Sequence, residues 1–191
     1  MEVTRAHAWE LLTEFTKNPN LIKHALAVET AMRAYARHFG QDEETWRVVG
    51  LIHDFDYEQY PTAEEHVWAG IKILRQRGWP EEIIQAMASH ANYTGIPRDT
   101  LLTKAIFAVD ELTGLIVAVA LVRPSKSLFD VTVESVKGKW KDKAFARGVN
   151  RQEIEEGAAG LGIPLDEHIA IVLQGMLEIV DDLGLRGKPQ A

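Results

Sequence analysis

The chain has no cysteine in 191 residues. Disulfides are therefore excluded, and any metal site has to be built from imidazole and carboxylate. The absence is compatible with a cytoplasmic location, which is the expectation adopted here. Long hydrophobic runs are also missing. The most apolar stretch, Leu112 to Val122, is too short to span a bilayer, directly follows Asp110-Glu111, and reads as the buried end of a core helix. Met1-Glu2-Val3-Thr4-Arg5 lacks a basic region followed by an apolar core, so it does not read as a signal peptide. Nor is there an excess of positive charge. A formal net charge of −7 argues against general binding of nucleic-acid polymers or membrane surfaces by the whole protein.

What is present is helical period in almost every segment, divided by turn signals. At 46% hydrophobic residues the chain can fill one well-packed core and is short for two. Ala8, Leu11, Leu12 and Phe15 form one stripe, ended by Asn18-Pro19. A second runs through Leu21, Ala25, Val28, Met32, Tyr35 and Phe39 to Gly40. A third helix starts after Asp42 and carries Trp46, Val49, Gly50 and His53 on one side. Residues 55–61 have no period. Thr62-Ala63-Glu64-Glu65 has the form of a capping box opening a helix that ends at Gly78. Trp79-Pro80 restarts the chain into a helix carrying Ile83, Met87 and His90. Asp99 or Thr100 caps a long helix past Asp110 to about Val122, and residues 127–141 read as helical. Asn150-Arg151-Gln152-Glu153 offers another capping box, and the last helix runs from Pro164 to Leu183, before Gly184 and a polar tail. No strand and no internal repeat is found. The expectation is an all-α, single-domain helical bundle over residues 1–191.

His24, His53, His66, His90 and Asp110 are placed by this reading on the apolar faces of five helices, with Asp54 adjacent to His53. An ionised aspartate on such a face is costly to bury unless it is paired or bound to a cation. Nitrogen and carboxylate oxygen in this mixture suit one or two borderline divalent metals. His7, His38 and His168 have no such company, and surface or helix-end roles are expected for them.

This constellation resembles the HD superfamily of metal-dependent phosphohydrolases, whose pattern is a His, a His-Asp pair and a distant Asp. His24, His53-Asp54 and Asp110 match it, over a metal-binding core of about residues 20–122, with a helical extension at about 123–185. In the two-metal branch two further histidines lie in between, where His66 and His90 stand. The resemblance implies that His24, His53, Asp54 and Asp110 hold a first ion. Asp54 would bridge to a second, completed by His66 and His90, with His53 and Asp54 as the catalytic pair. Two ions roughly 3.5–4 Å apart would activate water and neutralise phosphate oxygens. Fe, Mn, Zn, Ni or Co fit such ligands, Mg less well. The Gly-Tyr-Pro signature of the cyclic-dinucleotide phosphodiesterase branch is absent.

Around this centre, Asp56 and Glu58 are either carboxylates that orient a ligand imidazole or a solvated acidic loop. Tyr57, Tyr60 and Trp68 could wall a pocket, although core or rim positions are commoner for such residues. From Arg123 to Arg151 there are eight basic residues against Asp130, Glu134 and Asp142, so this segment is +5 and the remainder −12. Arg123 and Lys126 are the candidates for binding an anionic substrate. The resulting expectation is hydrolysis of a small phosphomonoester or phosphodiester, nucleotide-like, by metal-activated water. The alternatives are a di-iron oxygenase with the same ligand set and a non-catalytic regulatory module with a structural metal. Expected partners are the small phosphorylated substrate and no membrane, with a homo-oligomer left open.

Overall fold

A computed structural model of the chain describes residues 3–187. Met1-Glu2 of the N-terminal segment and residues 188–191 of the polar tail lie outside the described residues. The described chain is all helical, with no strand. Helices α1 (Arg5–Phe15), α2 (Pro19–Phe39), α3 (Glu43–Ile52), α4 (Trp68–Gln76) and α5 (Glu81–Ala88) precede a long α6 (Leu101–Leu121). Then come α7 (Val133–Gly138), α8 (Arg151–Leu161) and α9 (Leu165–Leu177).

Local sequence sets most boundaries. Asn18 accepts from the Asn20 amide and Pro19 opens α2, which stops at Gly40 with φ +63. Asp42 accepts from the Thr45 amide at the head of α3, and Thr100 from Thr103 at the head of α6. Each cap satisfies a donor that the helix leaves unpaired.

The two 21-residue helices α2 and α6 pack together in one continuous core containing Val28, Met32, Tyr35, Ile106, Leu112 and Ile116. α3 and α9 also pack on α2, while α8 packs on α6. Two glycines permit the closest crossings. A Cβ on Gly50 of α3 would stand 2.9 Å from the Glu29 Cα, and one on Gly157 of α8 would stand 2.5 Å from the Ala108 Cα. Buried Glu29, midway along α2, receives Arg5 at 2.7 Å and Arg47 at 2.8 Å, tying α1, α2 and α3 together.

Four sequence expectations are corrected. The helix expected from Thr62 begins at Trp68, because Val67 takes φ +65 and ends a separate turn over residues 62–66. Residues 127–141 hold only a short 3-10 turn and α7, since Ser127 and Thr132 each cap a new start. α9 ends at Leu177, beyond which the hydrogen bonds at Glu178, Ile179 and Val180 tighten to i→i−3. The apolar stretch ending at Val122 is buried only to Ala120; Leu121 and Val122 are 50% and 58% exposed. No described helix is long and apolar enough to cross a membrane.

Candidate metal centre

Only two of the six candidate ligands lie inside helices, His24 in α2 and Asp110 in α6. The expectation of five helical positions is corrected by local geometry. His53 ends α3, and Asp54 follows in a run of tight turns where Phe55 bonds back to Ile52 and Tyr57 to Asp54. Buried Phe55 anchors that run against Phe15, ring edge on ring face at 5.3 Å. His66 sits in the turn before α4, and His90 in the turn after α5.

The side chains converge. His24 Nε2 is 3.1 Å from His53 Nε2 and 3.0 Å from Asp110 Oδ1, which is 3.4 Å from His53 Nε2. The two oxygens of Asp54 face different partners. Oδ2 stands 3.5 Å from His53 Nε2 and 3.9 Å from His24 Nε2. Oδ1 stands 3.1 Å from His66 Nε2 and 3.2 Å from His90 Nε2. Two potential ion sites, His24–His53–Asp54 and Asp54–His66–His90, therefore share one carboxylate.

The tautomers follow from the outer hydrogen bonds. His53 Nδ1 donates to the Gly50 carbonyl at 2.8 Å and His90 Nδ1 to the Met87 carbonyl at 2.7 Å. His66 Nδ1 donates to Asp56 Oδ1 at 3.0 Å. With Nδ1 protonated in each neutral ring, all three Nε2 lone pairs point at carboxylate oxygens. Lone pairs facing lone pairs at these distances repel unless a cation lies between them. The donor set therefore fits divalent metal. The electrostatics agree. Burial opposes charge on His53 and His66, yet the neighbouring carboxylates push each up to about 9. Burial works to raise Asp54 and Asp110, but the surrounding imidazoles hold both well below the usual carboxylate range. These carboxylates draw in positive charge, protons on His53 and His66 in the bare cluster or metal ions in their place.

Asp56 resolves the choice left open for the acidic loop. It is fully buried, and its second oxygen accepts the amides of Val67 at 3.1 Å and Gly70 at 2.8 Å. One carboxylate thus orients His66 and supplies the head of α4. Glu58 is structural, accepting the amides of Lys17 and Asn18 at the start of α2.

Other expectations are redistributed. Tyr57 is 39% exposed and sets its ring edge-on to His66 at 5.2 Å. Trp68 is 45% exposed, as the first residue of α4. Arg123 and Lys126 make no ion pair or hydrogen bond to the cluster among the described residues. The end of α6 at Leu121 is about 16 Å along the axis from Asp110 at 1.5 Å per residue, and both residues lie beyond it. His7 and His38 occupy helix ends as expected. His168 does not: it is fully buried, donating to the Ala108 carbonyl at 2.9 Å and hydrogen-bonded to the Tyr35 hydroxyl.

Three residues with no sequence signal beyond proximity to a ligand also join the surroundings. Tyr93, three positions after His90, is 48% exposed; burial raises its hydroxyl pKa, as do the nearby charges of Asp54 and Asp56. Glu111, next to Asp110, accepts the Asn150 amide at 3.0 Å, and burial pushes it up to about 7. Arg98 lies over the Phe107 ring at 3.6 Å and donates to the Ser89 carbonyl at 2.7 Å, bracing the turn that carries His90.

Comparison with known proteins agrees with this geometry. The sequence matches the HD domain family over residues 21–115. Two ribonuclease Y proteins, from two strains of Thermus thermophilus, are each 30% identical over 96 residues. That alignment covers 50% of this chain and 16% of each relative. No solved structure matches significantly. HD domains are generally metal-dependent hydrolases, and the His/Asp groups described above are of a kind that could hold the metal. The chain is an HD-domain protein, with its HD domain at residues 21–115.

Proposed function

We propose that the protein is a metal-dependent phosphohydrolase acting on a small, nucleotide-like phosphomonoester or phosphodiester. The observation that carries this reading is the division of Asp54, one oxygen towards His24 and His53 and the other towards His66 and His90. His24, His53, Asp54 and Asp110 would hold one ion, and Asp54, His66 and His90 a second. Divalent metal bound there supplies Lewis acidity, lowering the pKa of water and neutralising phosphate oxygens. The chain's own contribution is orientation. Gly50, Met87 and Asp56 fix the imidazoles through Nδ1, so little reorganisation remains when charge develops. Asp54 and Asp110 keep 23% and 20% of their side chains exposed, so substrate can reach the cluster. Tyr57 and Tyr93 present half-exposed rings beside it, which supports a substrate with a planar base.

The test is a phosphoester screen on chelator-stripped protein reloaded separately with Mn²⁺, Fe²⁺, Zn²⁺, Ni²⁺ or Co²⁺. Turnover that disappears on stripping and returns on reloading supports the reading. A fully loaded protein that cleaves no phosphomonoester or phosphodiester overturns it.

A further inference from the structure

The positive segment of the chain is built onto the candidate centre by three anchors. The Asn150 amide donates to Glu111, the neighbour of Asp110. Val149 stands 3.9 Å from where a Cβ on Gly114 would sit, one helical turn beyond Asp110. Glu153 accepts from both Asn150 and Asn92 at 2.8 Å, and Arg98 connects Asn92 to the turn carrying His90. The C-terminal end of this segment, residues 149–153, is therefore fixed between the Asp110-Glu111 turn of α6 and the residues that follow His90.

Arg151 gives this loop a defined shape. Its guanidinium points inward and donates to the carbonyls of Lys139, Asp142, Phe145, Ala146 and Val149. Ala146 is held in the left-handed region at φ +47, a conformation that persists only where the surroundings over-determine it. The acids nearby are already engaged. Asp142 accepts the Ala144 and Phe145 amides, and Glu155 accepts the Trp140 indole N–H at 2.6 Å. Lys137 pairs with Asp166, and Lys139 lies over Phe145. Lys141, Lys143 and Arg147 remain exposed, with no carboxylate at ion-pair distance among the described residues. A shaped loop that carries three uncompensated cations and ends at Asn150, on Glu111 next to Asp110, is suited to an anion larger than one phosphate.

We propose that residues 139–151 form an anion-binding rim of the candidate metal centre, in which Lys143 and Arg147, with Lys141, receive a second phosphate group next to the scissile one. The substrate class is then a phosphoester with at least two phosphates. They belong either to one nucleotide's phosphate chain or to neighbouring links of a short oligonucleotide. This deepens the phosphohydrolase reading and rests on it for turnover, whereas binding at the rim can be read without turnover.

The experiment uses the full metal-loaded chain and its Lys143→Ala/Arg147→Ala variant, with circular dichroism confirming the fold of each. Calorimetric titration with inorganic tripolyphosphate and with inorganic phosphate reads binding alone. The parent is expected to prefer tripolyphosphate, and the variant to lose that preference roughly tenfold through lost charge-assisted hydrogen bonds. In turnover, the ratio of kcat/KM for adenosine diphosphate over the monophosphate should fall similarly, through KM. If a 5′-phosphorylated dinucleotide shows the rim-dependent preference instead, the rim stands and the second phosphate is a backbone link. Equal anion preference in parent and variant overturns the rim, even if monophosphates are hydrolysed. No turnover alongside rim-dependent tripolyphosphate binding counts against the hydrolase reading alone.

Discussion

Asp56 holds His66 by its Nδ1–H at 3.0 Å while its other oxygen takes the amides of Val67 and Gly70. The residue that aims an imidazole at Asp54 thus also starts the helix behind it. Asp56→Asn places an amide N–H where one of these donors now binds, so the His66 ring loses its fixed tautomer. Affinity for one of two bound ions should fall about 10–100-fold, with the other ion less affected. Competition titrations against a chromophoric chelator measure both.

The shared carboxylate makes stoichiometry diagnostic. His90→Ala should reduce two bound ions to one, because His24, His53, Asp54 and Asp110 are untouched. Asp54→Ala removes a donor from both groups and should leave neither ion firmly held. Elemental analysis after gel filtration reads the counts; equal loss in both variants would contradict two separable sites.

Two glycines near the ligands should respond to alanine with opposite signs. At Gly50 the new Cβ meets the Glu29 Cα and Val28 carbonyl at 2.9 Å, and backbone cannot give as a side-chain tip can. The expected loss is about 1–3 kcal/mol, with α3 pushed off α2 and His53 drawn away from His24. At Gly114 the nearest atom is the Val149 methyl at 3.9 Å, an ordinary contact. Alanine there should be neutral or stabilise by up to about 1 kcal/mol through helix propensity. Chemical denaturation of the two variants compares them directly.

Burial depresses His168 from 6.5 to about 4, so the folded chain favours its neutral form. The unfolded chain then binds more protons than the folded one between these values. Its stabilising contribution is complete above about pH 6.5 and is lost as pH falls towards 4, a change on the order of 3 kcal/mol. His168→Gln keeps an N–H for the Ala108 carbonyl without titrating. The stability difference between parent and variant should therefore shrink across that window in guanidinium unfolding.

The candidate site was legible to different depths. His24 and Asp110 sit on helix faces that the apolar period of α2 and α6 already marks. Spacing marks His53, His66 and His90 as candidates but not their positions at helix ends; at His66, Asp56 and the φ +65 of Val67 override the Thr62 start. For Asp56 the sequence leaves two readings open, a carboxylate that orients a ligand imidazole or a solvated loop. Its burial depends on Phe55 docking against Phe15, a contact forty positions apart in the chain. Similarly, the sequence points His168 to a surface or helix-end role because its partners, Tyr35 and Ala108, lie on other helices.

The sequence alone determined the helical class, most of the caps and the ligand types, because period, capping chemistry and donor identity are local. Tertiary structure decided which oxygen of Asp54 faces which imidazoles. It also decided that Asn150, 39 positions away in the chain, is tied to Glu111 beside Asp110. Those outcomes depend on long-range packing, such as α3 against α2 at Gly50 and α8 against α6 at Gly157, and no stretch of sequence read by itself contains the position of its distant packing partner.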